Sequence, residues 1–234
     1  MLDSDLHGRA LARAPYANDR AVGEATRSLA ALGRRIFQIY LLAENEREHV
    51  LRLLELLAPG RGARILDAGC GIGGVAETMR QARPDLEFVL LNLSREQLAL
   101  CPGTMARVAA SFEALPLREN SFDAVMLLYS IGHGRLDRVF PECARILRHG
   151  GVLFIYDLAA AAERDAIQFA DRLGYVVRSP AAILSAAASS RFAIERATVG
   201  MRATPAAFEA LVGRELALSL LRGISPALYR FRRC

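Results

Sequence analysis

Ten residues, Ile65-Leu66-Asp67-Ala68-Gly69-Cys70-Gly71-Ile72-Gly73-Gly74, hold the clearest chemical signal in the chain. The stretch 64–66 runs into the carboxylate of Asp67, and glycines follow at 69, 71, 73 and 74. This pattern predicts a buried strand ending in a turn that brings backbone close to a ligand, because glycine accepts positive φ and places no side chain in the way. Gly69, Gly71 and Gly74 also satisfy the G-x-G-x-x-G spacing of dinucleotide sites. Asp67 argues against a pyrophosphate, since a carboxylate just before the turn would repel its negative charges. A ligand with an amino group suits that position better.

The elements around this turn alternate. Strand signals at 64–67, 87–91, 106–110, 122–128 and 152–156 are interleaved with helix signals at 77–83, from Ser94, and at 136–147, which argues for a parallel sheet with helices on both faces. Ser94 is placed to cap its helix, with Gln97 three residues on to complete a capping box. Beyond Asp157 the pattern predicts helices near 161–173 and 181–190, a strand over 192–199, one helix over 205–222 and a last strand over 227–233. Residues 1–58 read as a helical cap or lid, and Pro59-Gly60 marks the boundary to a second unit at 59–234. Within the cap, Leu32, Ile36, Ile39, Tyr40, Val50, Leu53, Leu54 and Leu57 recur at helical spacing.

An acid followed by G-x-G-x-G resembles the first motif of the class I S-adenosylmethionine-dependent methyltransferases. The resemblance extends through Leu91-Asn92-Leu93-Ser94-Arg95-Glu96-Gln97, through Ser111-Phe112-Glu113-Ala114-Leu115-Pro116 with Ser121-Phe122-Asp123 beyond it, and through Arg145-Ile146-Leu147-Arg148-His149-Gly150-Gly151. It covers residues 62–157 well and the two ends poorly. It implies a Rossmann-like α/β fold with a seven-stranded, mostly parallel sheet whose seventh strand inserts antiparallel. It also implies S-adenosylmethionine as cofactor, held by Asp67, Gly69, Cys70, Gly71, Gly73, Asn92, Leu93, Gln97, Ser111, Phe112 and Leu128. Asn92 stands where the family usually has an acid for the ribose hydroxyls, so one charge-assisted contact is replaced by a neutral amide that can accept one bond and donate another. Ser111 stands where an Asp often holds the adenine amino group.

After strand four, Tyr129 and His133 are the catalytic candidates. Imidazole titrates near neutrality, which suits a general base. Tyr129 replaces an acid found in some C-methyltransferases and offers a π face to a cation instead. The expected reaction is methyl transfer to a small specialised metabolite, with a C-methyltransferase on an isoprenoid as one form of it. The alternatives are an O- or N-methyltransferase on a phenol or amine, an RNA methyltransferase, and a cofactor-fold protein that does not methylate, such as a pericyclase-like enzyme. Tyr16 and Tyr40 are lid candidates, and Arg20, Arg34 and Arg35 are available for an anionic acceptor.

Composition narrows the partners. The 234 residues are 53% hydrophobic and 24% charged, ordinary for a globular chain. Net charge is +5, yet all 30 basic residues are arginine and they are scattered; only Arg230, Arg232 and Arg233 cluster. Nucleic-acid binding usually shows a basic stripe with interleaved aromatics, so no nucleic-acid partner is expected. Neither a membrane-spanning run nor a secretory leader is visible, and a cytoplasmic enzyme, monomeric or homodimeric, is the expectation. Cysteines at 70, 101, 143 and 234 form no C-x-x-C pair, and neither a metal nor a disulfide framework is expected.

Overall fold

The computed structural model describes residues 19–31, 33, 35–173 and 175–234. Seven strands form one sheet: β1 (Arg64–Ala68), β2 (Glu87–Asn92), β3 (Ala106–Ala109), β4 (Phe122–Leu128), β5 (Leu147–Ala160), β6 (Phe192–Val199) and β7 (Ile224–Arg233). Their order is β3-β2-β1-β4-β5-β7-β6. The first five are parallel, and β7 runs antiparallel to both β5 and β6. This is the Rossmann-like, mostly parallel seven-stranded sheet that the resemblance implies. Chain order reverses between β1 and β4, the place where open parallel sheets bind ligands.

Successive strand residues point to opposite faces, and the strands read as apolar runs because both faces are covered. Leu66, Val89, Val125, Leu153 and Ile155 pack on one side with Val139, Phe140, Cys143 and Ile146 of the helix Leu136–Ile146 and with Ile183 of the helix Pro180–Ser189. Ile65, Phe88, Leu90, Met126 and Phe154 pack on the other with Val75, Ala76 and Met79 of the helix Gly74–Ala82. Val50, Leu53 and Leu57 of the helix Glu46–Leu57 join that second layer. Asn45 starts this helix by accepting the Glu48 N–H at 2.9 Å, and Ala58 ends it in the left-handed region. Among the described residues no helix is long and apolar enough to cross a membrane.

Several local expectations change. The helix over 205–222 is two, Ala206–Val212 and Arg214–Leu220, because Gly213 takes φ 85 and breaks the hydrogen-bond ladder. The helix expected to reach Leu147 ends at Ile146, and β5 starts at once. Phe122 then pairs with Leu147 but Ala124 with Val152, so 148–151 bulges from the ladder around Gly150 at φ 76. Ser94 caps its helix by accepting the Gln97 N–H at 3.1 Å. The other half of the capping box does not form, since the Ser94 N–H goes to Asn92 Oδ1 and Gln97 Oε1 accepts from Asn92 instead.

Candidate active site

The carboxyl ends of β1 to β4 and the extended segment 35–38 enclose a cavity of about 200 Å³. The glycine turn is its floor. Gly69 and Cys70 both donate backbone N–H groups to Leu91 O, at 2.8 and 3.1 Å, which ties the turn to the end of β2. Gly69 adopts φ 85, and a Cβ there would lie 2.5 Å from Ser130 Cβ, so only glycine fits. Gly71 has φ 55 and open space where a Cβ would stand, so no side chain stands between this part of the turn and the cavity. Gly73 is not part of the lining; it faces Leu90 and Pro102 behind the turn. A Cβ on Gly74 would lie 2.3 Å from Arg35 O, so the covering segment rests directly on the start of the helix.

Asp67 is 2% exposed, lines the cavity, and its Oδ2 has no hydrogen-bond partner. Burial alone pushes its carboxyl up to about 7. An unpaired buried carboxylate is costly unless a ligand supplies the partner. Asn92 is differently placed from what its position in the motif implied. Its NH₂ already donates to Gly71 O at 3.2 Å and to Gln97 Oε1 at 2.8 Å, so only the amide oxygen retains capacity toward the cavity. Gln97 in turn donates to Thr26 Oγ1 at 3.0 Å, tying the helix Asp19–Ala31 to this wall. Leu93, 63% exposed, stands at the rim, and Ser111, Phe112 and Leu128 complete the lining.

One lining side chain carried no motif. Gln38 is buried, and its Oε1 lies 2.5 Å from Nε2 of the wholly buried His49. His49 Nδ1 accepts the Leu42 N–H at 2.9 Å, so Nε2 carries the ring proton and donates to Gln38. Burial pushes the His49 imidazole down to about 4, keeping it neutral. This fixes the Gln38 amide oxygen toward His49 and leaves its NH₂ for the cavity. Nothing in the local sequence marks either residue, which meet only through the packing of 35–42 on the helix Glu46–Leu57.

The end of β4 turns sharply. Tyr129 has φ 54, strained for a non-glycine residue, and its hydroxyl accepts the Tyr40 N–H at 2.9 Å. Its ring meets Tyr156 edge-on at 5.5 Å. Tyr40 also donates its hydroxyl to Ile224 O and accepts from Tyr156 through its carbonyl, so it anchors the covering segment to β4, β5 and β7. Ser130 Oγ donates to Ala68 O at 2.8 Å. The short turn Ile131–His133 is held by Asp157 at the end of the parallel part of β5 and by Tyr175. Asp157 accepts from Ile131 N–H, Leu158 N–H and the Tyr175 hydroxyl, which itself accepts the Gly132 N–H at 3.1 Å. Burial pushes the Asp157 carboxyl up to about 6. His133 lines the cavity half-buried, its ring edge-on to Tyr175 at 4.8 Å. Tyr129 and His133 therefore lie on one wall with the glycine turn.

Removing the Tyr175 hydroxyl leaves Gly132 N–H unpaired and takes one partner from buried Asp157. Tyr175→Phe is expected to cost about 1–3 kcal/mol of stability, read from the denaturant midpoint; an unchanged midpoint would show that the turn does not need this bridge. The other residues with expected roles are peripheral. Arg35 lines the cavity with its guanidinium 2.8 Å from Glu77, and Arg20 is exposed and paired with Glu24. Tyr16, Arg34 and Leu32 lie outside the described residues.

The cavity's chemistry, an unpaired acid beside a glycine turn at the switch point of this sheet, meets an independent sequence match. Residues 66–155 match the family model described as "Methyltransferase domain". Over these residues the chain resembles the class I S-adenosylmethionine-dependent methyltransferases. The chain is 36% identical over 135 residues to malonyl-[acyl-carrier protein] O-methyltransferase of Enterobacter lignolyticus, covering 56% of the chain and 53% of that protein. It is 29% identical over 128 residues to sterol 24-C-methyltransferase of Schizosaccharomyces pombe, covering 50% of the chain and 33% of that protein. The chain thus spans about half or less of these two relatives. A solved structure of geranyl diphosphate C-methyltransferase from Streptomyces coelicolor A3(2), bound to Mg²⁺, geranyl diphosphate and S-adenosyl-L-homocysteine, shares the fold at a TM-score of 0.75. The match is 14% identical and covers 95% of this chain and 100% of that one.

Proposed function

We propose that this protein transfers the methyl group of S-adenosylmethionine to a small, largely apolar acceptor bound beside His133. The observation that carries this reading is a single cavity wall. It runs from the unpaired carboxylate of Asp67, across the backbone of Gly71, to the imidazole of His133.

The cofactor supplies a sulfonium-activated methyl, so the protein needs no strong electrophile of its own. Asp67 Oδ2 would accept from the cofactor's ammonium group, and the Gln38 NH₂ would donate to its carboxylate. Asn92 Oδ1 would accept from a ribose hydroxyl, while Leu93, Ser111 and Phe112 would meet the base. Segment 35–38 covers the site and excludes water, and alignment of the acceptor does the remaining work. His133 takes the proton that the methylated acceptor loses.

The ring of Tyr129, on the cavity wall with His133, favours an alkene acceptor of isoprenoid type, because it offers π density to a carbocation and His133 a base for the following proton. Among the described residues, Arg35 is the arginine on the cavity wall and is already paired with Glu77, so a diphosphate would have to displace that ion pair. This favours an acceptor without one. The second reading is O- or N-methylation, supported by the O-methyltransferase relative; it needs only His133.

Calorimetry with S-adenosylmethionine and with NAD tests the cofactor, and release of S-adenosylhomocysteine tests turnover with sterols, isoprenoid alkenes and diphosphates, phenols, amines and carboxylic acids. The sulfonium compound is expected to bind and NAD not to, with product from an alkene. NAD binding without a response to S-adenosylmethionine overturns the reading. Product from a phenol, amine or acid alone selects the second reading, and cofactor binding without turnover on any acceptor points to a non-methylating role.

A further inference from the structure

Cys70 and Cys101 are 31 positions apart in the chain, yet their sulfurs meet over one carbonyl group. Cys70 sits in the glycine turn, half-buried, and forms part of the cavity wall. Cys101 follows the helix Arg95–Ala99 and is buried behind the turn. Each Sγ lies 3.6 Å from Gly71 O, so both thiols are placed to donate to one carbonyl oxygen.

We propose that Cys70 and Cys101 form a peroxide-oxidisable dithiol whose disulfide closes the cofactor site. The closure rests on the reading of the cavity as the S-adenosylmethionine site; the oxidation itself does not. Hydrogen peroxide reaches Cys70 through the cavity. The sulfur attacks one peroxide oxygen, the O–O bond breaks, and the thiol proton leaves with the other oxygen as water, giving a sulfenic acid. Cys101 sulfur then attacks the sulfenic sulfur, the S–O bond breaks, and its proton leaves with the hydroxyl as a second water. Two thiols are oxidised by two electrons and one peroxide is reduced by two. A disulfide draws the sulfurs to about 2.05 Å, well inside non-bonded contact, so the turn must move toward Cys101 and pull Gly71 away from its ligand position. A bound cofactor conversely covers Cys70.

The experiment treats the reduced chain with hydrogen peroxide, with and without saturating S-adenosylmethionine, and follows intact mass, linked peptides and cofactor affinity. The expected result is loss of two hydrogen masses, a Cys70–Cys101 cross-linked peptide, and cofactor binding weaker by about tenfold or more. Dithiothreitol should restore binding, and prior cofactor binding should slow the oxidation. Cys101→Ser should give no cross-link and accumulate oxygen adducts on Cys70, while its untreated form binds cofactor as the wild type does. Oxygen adducts on wild-type Cys70 with no cross-link, or linkage through Cys143 or Cys234, would overturn the dithiol. A cross-linked chain with full cofactor affinity would overturn the closure. Should the reduced chain bind no S-adenosylmethionine at all, the cofactor reading fails, while the mass data still decide the dithiol.

Discussion

Asp67→Ala is expected to weaken S-adenosylmethionine binding by about 10²-fold, because it removes one side of a desolvated, charge-assisted contact. The carboxylate is 2% exposed and its Oδ2 has no protein partner, so nothing else compensates when the ligand's ammonium loses it. The pH dependence follows from the same burial. Without ligand the folded carboxyl titrates at about 7, against 3.8 for a solvated aspartate. Between those values the folded chain holds a proton that the unfolded chain has released, so this group's contribution to stability is fully present below 3.8 and is lost as pH rises through about 7. Cofactor binding runs the opposite way, since an ammonium partner requires the ionised acid. Affinity should therefore rise with pH up to about 7 and level off above it. Asp67→Asn should flatten both profiles. Calorimetry across that pH range measures the effect, and a wild-type affinity indifferent to pH would remove Asp67 from the ammonium site.

Loss of the His133 ring should act on turnover instead. His133→Ala is expected to lower kcat by about 10²-fold, the usual scale for a general base, with cofactor affinity nearly unchanged. The ring lines the cavity, and its position is set by backbone: the Asp157 and Tyr175 bonds to 131–132 would persist without it. Turnover within about twofold of wild type would show that proton removal is not assisted here or falls to solvent. A fall in cofactor affinity with unchanged kcat would instead mark His133 as packing for the cofactor.

The sequence by itself determined the frame of the site. Asp67 and the glycines after it announce their turn because positive φ and missing side chains are local properties, written in residue type. The strands were legible because a sheet covered on both faces demands apolar runs, as in Phe88-Val89-Leu90-Leu91 and Val125-Met126-Leu127-Leu128. Ser94 was legible as a cap for the same reason of locality. The antiparallel insertion of the seventh strand followed from the family resemblance, not from these patterns.

Tertiary structure alone decided which donors and acceptors are still available. Asn92 looked ready for a ribose, but its NH₂ is used by Gly71 O and Gln97; the Gly71 contact spans a crossover that no periodicity encodes. Gln38 was one polar residue among many until His49, with its ring held neutral by burial, oriented its amide. Tyr175 reaches Asp157 and Gly132 only because the chain after β5 folds back over the β4 turn, and Cys101 meets Cys70 only because the end of its helix packs behind the glycine floor. Hydropathy and turn preferences report how a residue relates to its chain neighbours and to water. A hydrogen bond between distant side chains depends on a few tenths of an ångström set by the whole packed core, and no local pattern carries that information.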